Sequence, residues 1–221
     1  MLTILNFHGI GDAPGHVEPG EGKYWISQAF FHRILDLVID HGQTADVEIT
    51  FDDGNMSDLE CGVPALKDRN LTASFFVLSG RLDTPGYLSS ADLTTMLREG
   101  MTIGTHGCDH VDWRTLDEER LTREICTSRE VIAAACGRPV DTVAIPFGAY
   151  NGRVIRRLKA AGYERIYTSD TGPANGASRV QARTSIRSDM SLQDVERILS
   201  DRVSWKRKLR RTLAGILKRT L

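Results

Sequence analysis

The sequence lacks the features that define several broad classes of protein. Its 221 residues contain no apolar run long enough to span a bilayer, and no basic N-terminal region followed by a cleavage site. Its four cysteines form no CxxC pair, and a chain of this length needs no disulfide framework. The formal net charge of −1 gives no indication of a nucleic-acid partner. We therefore expect a cytoplasmic protein with reduced thiols.

Short apolar segments alternate with amphipathic segments along the chain. Seven segments rich in β-branched and aromatic residues are predicted strands: Leu2–Phe7, Val47–Phe51, Ala73–Leu78, Met101–Thr105, Thr142–Ile145, Arg165–Thr168 and Gln181–Ile186. Helical spacing of apolar residues predicts helices at Ser27–His41, Ser90–Glu99, Asp117–Cys136 and Gly152–Ala161, with a last helix capped by Ser191. Thr115 and Glu118 are expected to form a capping box for the third helix. The alternation predicts an α/β protein with a parallel sheet, and a barrel is favoured over a doubly wound sheet.

The C-terminal stretch differs in composition from the rest of the chain. Residues 1–203 are interpreted as one barrel domain and residues 204–221 as a basic amphipathic helix. The apolar side of this helix would consist of Leu209, Leu213, Ile216 and Leu217 amid lysines and arginines. Such a helix can lie on an anionic membrane, or it can pack on the barrel with its basic face solvated.

Polar side chains follow the predicted strands at the points where these end. In a closed parallel barrel the C-terminal ends of the strands share one rim, where enzymes of this architecture build their sites. The residues concerned are His8, Asp52, Asp53, His106, His110 and Pro146–Gly148. We therefore predict one functional site at this rim.

The types and spacing of these residues indicate a metal site. Asp52 and Asp53 are adjacent in a strand, so their side chains point to opposite sides and can do different tasks. His106 and His110 would face the same way if their segment formed a helical turn. One carboxylate and two imidazoles can hold a divalent ion with open positions, and the second carboxylate can accept a proton from water. Spacing alone does not assign the two carboxylates, and the bland alternative is a solvated turn with unrelated histidines.

The same segments occur in an order that resembles a known family. They are Thr50–Gly54, Thr105–His110 and Ala144–Asn151. The set resembles the polysaccharide deacetylases, carbohydrate esterases that include chitin, peptidoglycan and chitooligosaccharide deacetylases. The resemblance implies a distorted (β/α)7 barrel with outer helices.

The resemblance also implies roles for particular residues. Asp52 would be the general base, while Asp53, His106 and His110 would bind a divalent ion, zinc before others. The backbone N–H of Phe147 would help to stabilise the oxyanion of the reaction. The substrate-binding residues implied or proposed with it are Pro146, Phe147, Gly148, Tyr150 and Trp113.

The sequence departs from the family pattern at two positions. Many members carry a general-acid histidine near the C-terminus, whereas no histidine follows His110 here. The exopolysaccharide branch has its acid near the N-terminus, in a segment that is similar to Leu5–Gly9, so His8 is assigned this role by resemblance. An arginine that orients the catalytic Asp is absent before Pro146, and Arg183 is its candidate substitute. A structural His8 and a surface Arg183 are the alternatives.

Aromatic and acidic residues outside these motifs have two interpretations each. Tyr24, Trp25 and Trp113 can stack on sugar rings or pack in the core. His16, Glu18 and Glu21 lie in a loop rich in glycine and proline, interpreted as a mobile substrate-side loop with no metal implied.

The sequence as a whole predicts a metal-dependent hydrolase that removes N-acetyl or O-acetyl groups from a carbohydrate. Its expected partners are acetylated oligosaccharides, polysaccharides or lipid-linked glycans, with peripheral membrane contact through the C-terminal helix. One alternative is a same-fold amidohydrolase that acts on a non-sugar amide or ureide. Others are a non-catalytic glycan-binding barrel and a non-haem iron oxygenase, because two histidines and a carboxylate also bind Fe(II).

Overall fold

The structure, a computed structural model, describes residues 2–15, 17–41 and 46–200. Its main strands are β1 (Thr3–Phe7), β4 (Val47–Asp53), β5 (Ser74–Val77), β6 (Thr102–Thr105), β7 (Thr142–Ala144), β8 (Arg165–Thr168), β9 (Val180–Ala182) and β10 (Thr184–Ser185). Two short strands, β2 (Gly9–Ile10) and β3 (Trp25–Ile26), form a separate parallel pair. The main strands form one sheet in the order β10-β1-β4-β5-β6-β7-β8-β9, and all its pairings are parallel.

The sheet closes into a barrel at Arg183. β9 pairs with β8 and β10 pairs with β1, so the two edges of the sheet are consecutive segments that only Arg183 separates. Counted around the ring, β9 and β10 share one position, which leaves seven positions for the barrel. The predicted (β/α)7 barrel is therefore confirmed, and the predicted strand Gln181–Ile186 is divided at Arg183.

Seven helices are described around the barrel. They are α1 (Gln28–Asp40), α2 (Val63–Lys67), α3 (Ser90–Arg98), α4 (Glu118–Thr122), α5 (Ser128–Cys136), α6 (Gly152–Ala160) and α7 (Leu192–Leu199). The predicted helices agree with these bounds within about two residues, except between residues 117 and 136. There a π-helical segment, Arg123–Thr127, separates α4 from α5.

The capping box expected at Thr115 was wrong. Thr115 ends a short 3-10 turn, and Asp117 caps α4 by accepting a hydrogen bond from the backbone N–H of Arg120. Asp117 is the stronger cap because its carboxylate reaches the unpaired N–H groups of the first turn. Two capping boxes form elsewhere, with Ser89 at the start of α3 and Ser191 at the start of α7.

Alternation along the strands separates an apolar outer face from a partly polar interior. Phe7, Phe51 and Phe75 are paired in register on neighbouring strands and pack beneath the outer helices, with Phe51 and Phe75 stacked at 4.6 Å. Their neighbours on the other face point into the barrel. Those neighbours include Asn6, Thr50 and Asp52, so the strand period itself brings polar groups inside.

The lower interior of the barrel is apolar. Ile4, Phe76, Ala144 and Tyr167 form a buried cluster inside the ring. The side chains of this cluster fill the interior of the barrel below the C-terminal rim. The buried polar residues Asp52 and Arg183 lie nearer to that rim as an ion pair, whereas the partly exposed pair of Glu48 and Arg165 lies near the N-terminal ends of β4 and β8.

No helix in the ranges that the structure describes has the length and apolar character needed to cross a membrane. The predicted C-terminal helix, residues 204–221, and His16 lie outside the described residues. The domain boundary predicted at residue 203 stays a prediction for the same reason.

Gly104 tests the packing of the barrel interior. A Cβ added there would lie 2.5 Å from the Phe76 ring and 2.6 Å from Thr142 Oγ1. We expect Gly104→Ala to lower the free energy of unfolding by about 1–3 kcal/mol, because overpacking forces neighbouring groups to shift. Gly176→Ala is the control, since nothing lies within 4 Å of its added Cβ. Equal urea midpoints for the two variants would contradict this description of the interior.

Candidate metal centre

Three ligand-type side chains meet at the C-terminal rim of the barrel. Asp53 is the last residue of β4, His106 follows β6, and His110 lies four residues further along the chain. Asp53 Oδ1 lies 3.6 Å from His106 Nε2 and 3.6 Å from His110 Nε2. All three side chains are buried. We call this group the Asp-His-His cluster.

The Asp-His-His cluster fits a divalent cation. Asp53 Oδ1 is buried and has no hydrogen-bond partner among the described residues. Nitrogen and oxygen ligands lie about 2.0–2.2 Å from a bound zinc ion, which puts tetrahedral ligands about 3.4 Å apart. The 3.6 Å separations match that spacing. A buried carboxylate oxygen without a donor, facing two imidazole nitrogens, is the arrangement that a cation would complete.

The backbone around the cluster is strained. Asp53, His110 and Phe147 have φ values of 78°, 51° and 57°, in the left-handed region that non-glycine residues rarely adopt. Such conformations cost about 1–3 kcal/mol each and concentrate at functional sites. Strain at three rim residues supports a functional site there.

The segment from His106 to His110 is not the helical turn that the spacing suggested. Gly107 has a φ of 92° and His110 one of 51°, so the segment is an irregular loop. The two imidazoles nevertheless converge, with ring centroids 5.4 Å apart. His106 Nδ1 contacts the carbonyl oxygen of Ala144 at 2.9 Å, which places the proton on Nδ1 and leaves Nε2 to face Asp53.

Glu124 fixes this loop and was missed by the sequence analysis. Its buried carboxylate accepts hydrogen bonds from the N–H groups of Cys108 at 2.7 Å and Asp109 at 3.2 Å, and from Trp113 Nε1 at 3.3 Å. The π-helical turn in the chain places Glu124 under the loop, and such turns often mark functional sites. A Cβ on Gly107 would lie 2.5 Å from Glu124 Oε2, so this position requires glycine.

Arg183 and Asp52 form an ion pair inside the barrel. Arg183 Nη1 lies 2.7 Å from Asp52 Oδ1, and Nη2 lies 2.7 Å from Asp52 Oδ2, while both side chains are almost completely buried. Asn6 also donates to Asp52 at 2.9 Å. The guanidinium lies over the rings of Phe76 and Tyr167. The surface position weighed for Arg183 is therefore wrong.

The two adjacent carboxylates have opposite electrostatic environments. Burial by itself would raise the pKa of Asp52, but the charge and hydrogen bonds of Arg183 hold it well below its usual range. Burial and the neighbouring charge of Asp52 raise the pKa of Asp53 well above its usual range. Asp52 is thus ionised without further help, whereas Asp53 needs a cation to be so.

His8 lies beside Asp52 at the end of β1. Its ring stacks on Tyr24 with centroids 4.5 Å apart, and its carbonyl oxygen accepts a hydrogen bond from Asn55 at 3.1 Å. Burial lowers the pKa of His8 to about 4, partly opposed by the charge of Asp52. His8 Nδ1 is buried with no partner in the described part of the chain.

The turn after β7 carries the exposed side of the site. The Phe147 side chain is 55% exposed, and its ring lies 4.3 Å from that of His110. The N–H groups of Gly148 and Ala149 donate to Ile145 and Pro146 within the turn. Gly148 is therefore not an oxyanion donor here.

Two residues assigned to substrate binding are core residues instead. Trp113 is 0% exposed and packs in the core between the barrel and its outer helices. Tyr150 is 2% exposed, and its hydroxyl donates to Asp170 at 2.5 Å. Neither ring has a face available to a sugar, so these assignments were wrong.

The loop between β2 and β3, interpreted as a substrate-side loop, lies against the Asp-His-His cluster. Glu18 Oε2 and Glu21 Oε1 lie 3.6 and 3.5 Å from His110 Nδ1. Glu18 also pairs with Arg81. The polar residues of this rim that the sequence analysis missed are Asn6, Thr50, Asn55, Arg81 and Glu124. The one signal visible in the sequence was Asn6, a polar residue in the otherwise apolar end of the predicted strand Leu2–Phe7.

The fold and the rim together define a (β/α)7-type barrel with a candidate Asp-His-His metal site. The chain belongs to the polysaccharide deacetylase family, whose model matches residues 40–166. A similar curated protein is the chitooligosaccharide deacetylase of Rhizobium leguminosarum bv. trifolii, 29% identical over 126 residues that make up 56% of each chain. The chain spans about half the length of the curated relatives it matches.

Solved structures share the fold at low sequence identity. The Streptococcus pyogenes deacetylase PplD, solved in complex with acetate, is 20% identical with a TM-score of 0.76, over 90% of this chain and 97% of that chain. IcaB from Ammonifex degensii is 20% identical with a TM-score of 0.73, over 90% of this chain and 95% of that one. These similarities establish the architecture.

Glu124 offers a test of the loop's support. Glu124→Ala would leave two backbone N–H groups and the Trp113 indole N–H buried without an acceptor. Each such donor costs about 1–3 kcal/mol, so we expect a loss of at least about 3 kcal/mol in the free energy of unfolding. Glu130→Ala, at an exposed position on α5, should stay within about 0.5 kcal/mol. Comparable urea midpoints for both variants would show that Glu124 does not hold the loop.

The buried His8 predicts a pH-dependent contribution to stability. An unfolded chain protonates His8 near pH 6.5, whereas the folded metal-free chain does so only near pH 4. The unfolded state binds more protons in between, so the contribution is complete above about pH 6.5 and is lost as the pH falls toward 4.

We therefore expect the stability difference between wild type and His8→Gln, measured in chelator-treated protein, to shrink by about 2–3 kcal/mol from pH 7 to pH 4. A difference that is independent of pH would mean that His8 titrates normally in the folded chain.

Proposed function

We propose that this chain is a metal-dependent deacetylase that hydrolyses the N-acetyl groups of a carbohydrate. The observation that carries the proposal is the Asp-His-His cluster with ionised Asp52 directly beside it, at the C-terminal rim of a polysaccharide deacetylase barrel. A bare metal site would not need the adjacent ion pair. A structural ion pair would not need an unpaired Asp53 facing two histidines.

Asp53, His106 and His110 would hold the divalent ion, with zinc as the leading candidate because two imidazoles and a carboxylate suit it. When bound, such an ion supplies Lewis-acid polarisation of the acetyl carbonyl and activation of water. The ligand side chains must also be held in the right orientation. The contact with the Ala144 carbonyl oxygen orients the His106 ring, and Glu124 holds the loop that carries His110.

Asp52 would accept the proton from the attacking water. Its bidentate pair with Arg183 fixes the direction of the carboxylate and keeps it ionised at neutral pH. Arg183 acts through Asp52 and is therefore a positioning residue. The hydrogen bond from Asn6 adds a third fixed donor to the same carboxylate.

His8 would deliver a proton to the leaving amine nitrogen. It is neutral in the substrate-free chain because burial lowers its pKa to about 4. Its pKa nevertheless stays above that of Asp52, which Arg183 holds well below the usual range. A proton collected by Asp52 is therefore more stable on His8, and this order favours transfer toward the leaving group.

The turn after β7 would form the acetyl pocket. Pro146 is buried, and Phe147 exposes its ring beside His110. We propose that the backbone N–H of Phe147 stabilises the oxyanion of the tetrahedral intermediate. The left-handed backbone at Phe147 is consistent with an N–H held for that purpose.

The substrate class follows from the family and not from the rim alone. We propose an acetylated oligosaccharide or polysaccharide, since named relatives include chitooligosaccharide, chitin and peptidoglycan-N-acetylglucosamine deacetylases. O-acetyl groups, lipid-linked glycans, membrane contact and a cytoplasmic location stay predictions. A same-fold amidohydrolase that acts on small amides or ureides is the competing function.

Variants at the rim separate the proposed roles. Asp52→Asn is expected to lower acetate release by about 100- to 10,000-fold with the metal still bound, because only the base is removed. Asp53→Ala should lose both activity and metal, and a chelator should abolish wild-type activity. Asp109→Asn is the control, since that carboxylate belongs to the same loop but pairs with Arg123 at the surface.

The measurements are acetate release from acetylated oligosaccharides and small amides, and metal content by elemental analysis. Circular dichroism checks that Asp52→Asn remains folded, because this variant leaves Arg183 without its counter-charge. Full activity of a folded Asp52→Asn protein would refute the base assignment. Turnover of small amides alone would favour the competing function.

A further inference from the structure

His110 presents two nitrogens to two different groups of carboxylates. Its Nε2 faces Asp53 in the Asp-His-His cluster at 3.6 Å. Its Nδ1 faces Glu18 and Glu21 at 3.6 and 3.5 Å on the opposite side of the ring. The His110 side chain is 3% exposed, and its Nδ1 has no hydrogen-bond partner within the described ranges.

The loop between β2 and β3 holds the two glutamates in place. Glu18 pairs with Arg81, whose guanidinium lies 5.1 Å above the ring of Tyr87. The Glu21 N–H donates to the Glu18 carbonyl oxygen at 3.0 Å. The Glu18 carboxylate is thus fixed by Arg81, and the backbone bond fixes the position of Glu21 relative to Glu18.

The tautomer of His110 decides what this contact can do. An imidazole that binds a metal through Nε2 carries its proton on Nδ1, and that proton needs an acceptor. Carboxylates in this position orient the ring and increase its basicity toward the metal. The Nδ1 of His106 already has such an acceptor in the carbonyl oxygen of Ala144. The Nδ1 of His110 has no hydrogen-bond acceptor among the described residues, and the carboxylates of Glu18 and Glu21 are the groups that face it.

We propose that Glu18 and Glu21 are positioning residues that accept the Nδ1 proton of His110 and so set the metal affinity of the centre. The inference rests on the metal centre of the proposed function. It adds to that centre two hydrogen-bond acceptors for a ligand histidine, both from the loop between β2 and β3. Closing the 3.5 Å contact of Glu21 or the 3.6 Å contact of Glu18 to hydrogen-bond length needs only a small movement of side chains that are 18% and 43% exposed.

A second metal ion bound by Glu18, Glu21 and His110 is the competing use of these groups. It would require His110 to lose its Nδ1 proton and bridge two cations. It would also place a cation beside the guanidinium of Arg81, which already occupies Glu18. Both requirements disfavour a second ion relative to a shared proton.

The same loop also reaches His8. The backbone carbonyl oxygen of Glu21 accepts a hydrogen bond from the Tyr24 N–H at 2.8 Å, and the Tyr24 ring stacks on His8. The two glutamates and the stacking ring are thus fixed by one short turn. The position of the candidate acid and the orientation of His110 therefore depend on the same segment.

The test is the affinity of the full chain for Zn²⁺, measured by competition with a chromophoric chelator. Glu21→Ala is expected to weaken binding by about 10- to 100-fold, the range typical of partners to metal-bound histidines. Glu21→Gln should lose less, because the amide oxygen still accepts a hydrogen bond. Asp12→Ala is the matched control, an exposed carboxylate in the same loop, and should bind as wild type does. Glu21 is chosen because removal of Glu18 would also leave Arg81 unpaired.

A second measurement is nitrogen-15 NMR of the zinc-loaded wild-type chain. A protonated His110 Nδ1 in slow exchange with water is expected, and faster exchange in Glu21→Gln. Wild-type zinc affinity in Glu21→Ala, or two zinc ions per wild-type chain, would overturn the inference. Zinc binding that depends on Glu21, in a chain that deacetylates no glycan, would sustain it while removing the proposed function.

Discussion

The ion pair between Arg183 and Asp52 is the interaction on which the barrel and its site both depend. Arg183 is the single residue between β9 and β10, at the point where the ring of strands closes. Its guanidinium is completely buried and bonds both oxygens of Asp52 on β4, on the other side of β1. Two buried charges are costly, and loss of either partner would leave the other uncompensated at about 3–5 kcal/mol. The pair therefore ties the closure of the fold to the state of one carboxylate.

This pair also explains how two adjacent aspartates acquire different properties. Asp52 points into the barrel, where a fixed cation keeps it charged, and Asp53 turns out of β4 through a left-handed backbone toward His106 and His110. Burial and the charge of Asp52 both raise the pKa of Asp53. The charge of Asp52 therefore makes it harder for Asp53 to ionise without a bound cation. Strand alternation creates the division, and the buried arginine determines which of the two carboxylates stays ionised.

The sequence predicts most of the fold and the centre of the site, because these follow from periodicity and from residue type. The seven strand segments of the main sheet, most of the outer helices and the convergence of Asp53, His106 and His110 at one rim were predicted, whereas α2 and the pair β2 and β3 were not. Long-range contacts were not: Glu124 is one acidic residue in a predicted helix, and only a π-helical turn places it beneath the loop. The assignment of Trp113 to substrate binding was wrong for a related reason. Its burial depends on packing between distant segments, which the local sequence does not encode.

The position of His8 shows why the site needs the first loop of the chain. The family resemblance implies an acid from a later segment in many members, whereas here the histidine near Asp52 directly follows β1. A histidine at a strand end has few fixed neighbours, and here Tyr24 and Asn55 supply them. Tyr24 belongs to the loop that carries Glu18 and Glu21, so the segment that orients His8 also lies against His110. With the proposed acid at the end of the first strand, the neighbouring loop becomes part of the candidate site, because the same few residues contact both His8 and His110.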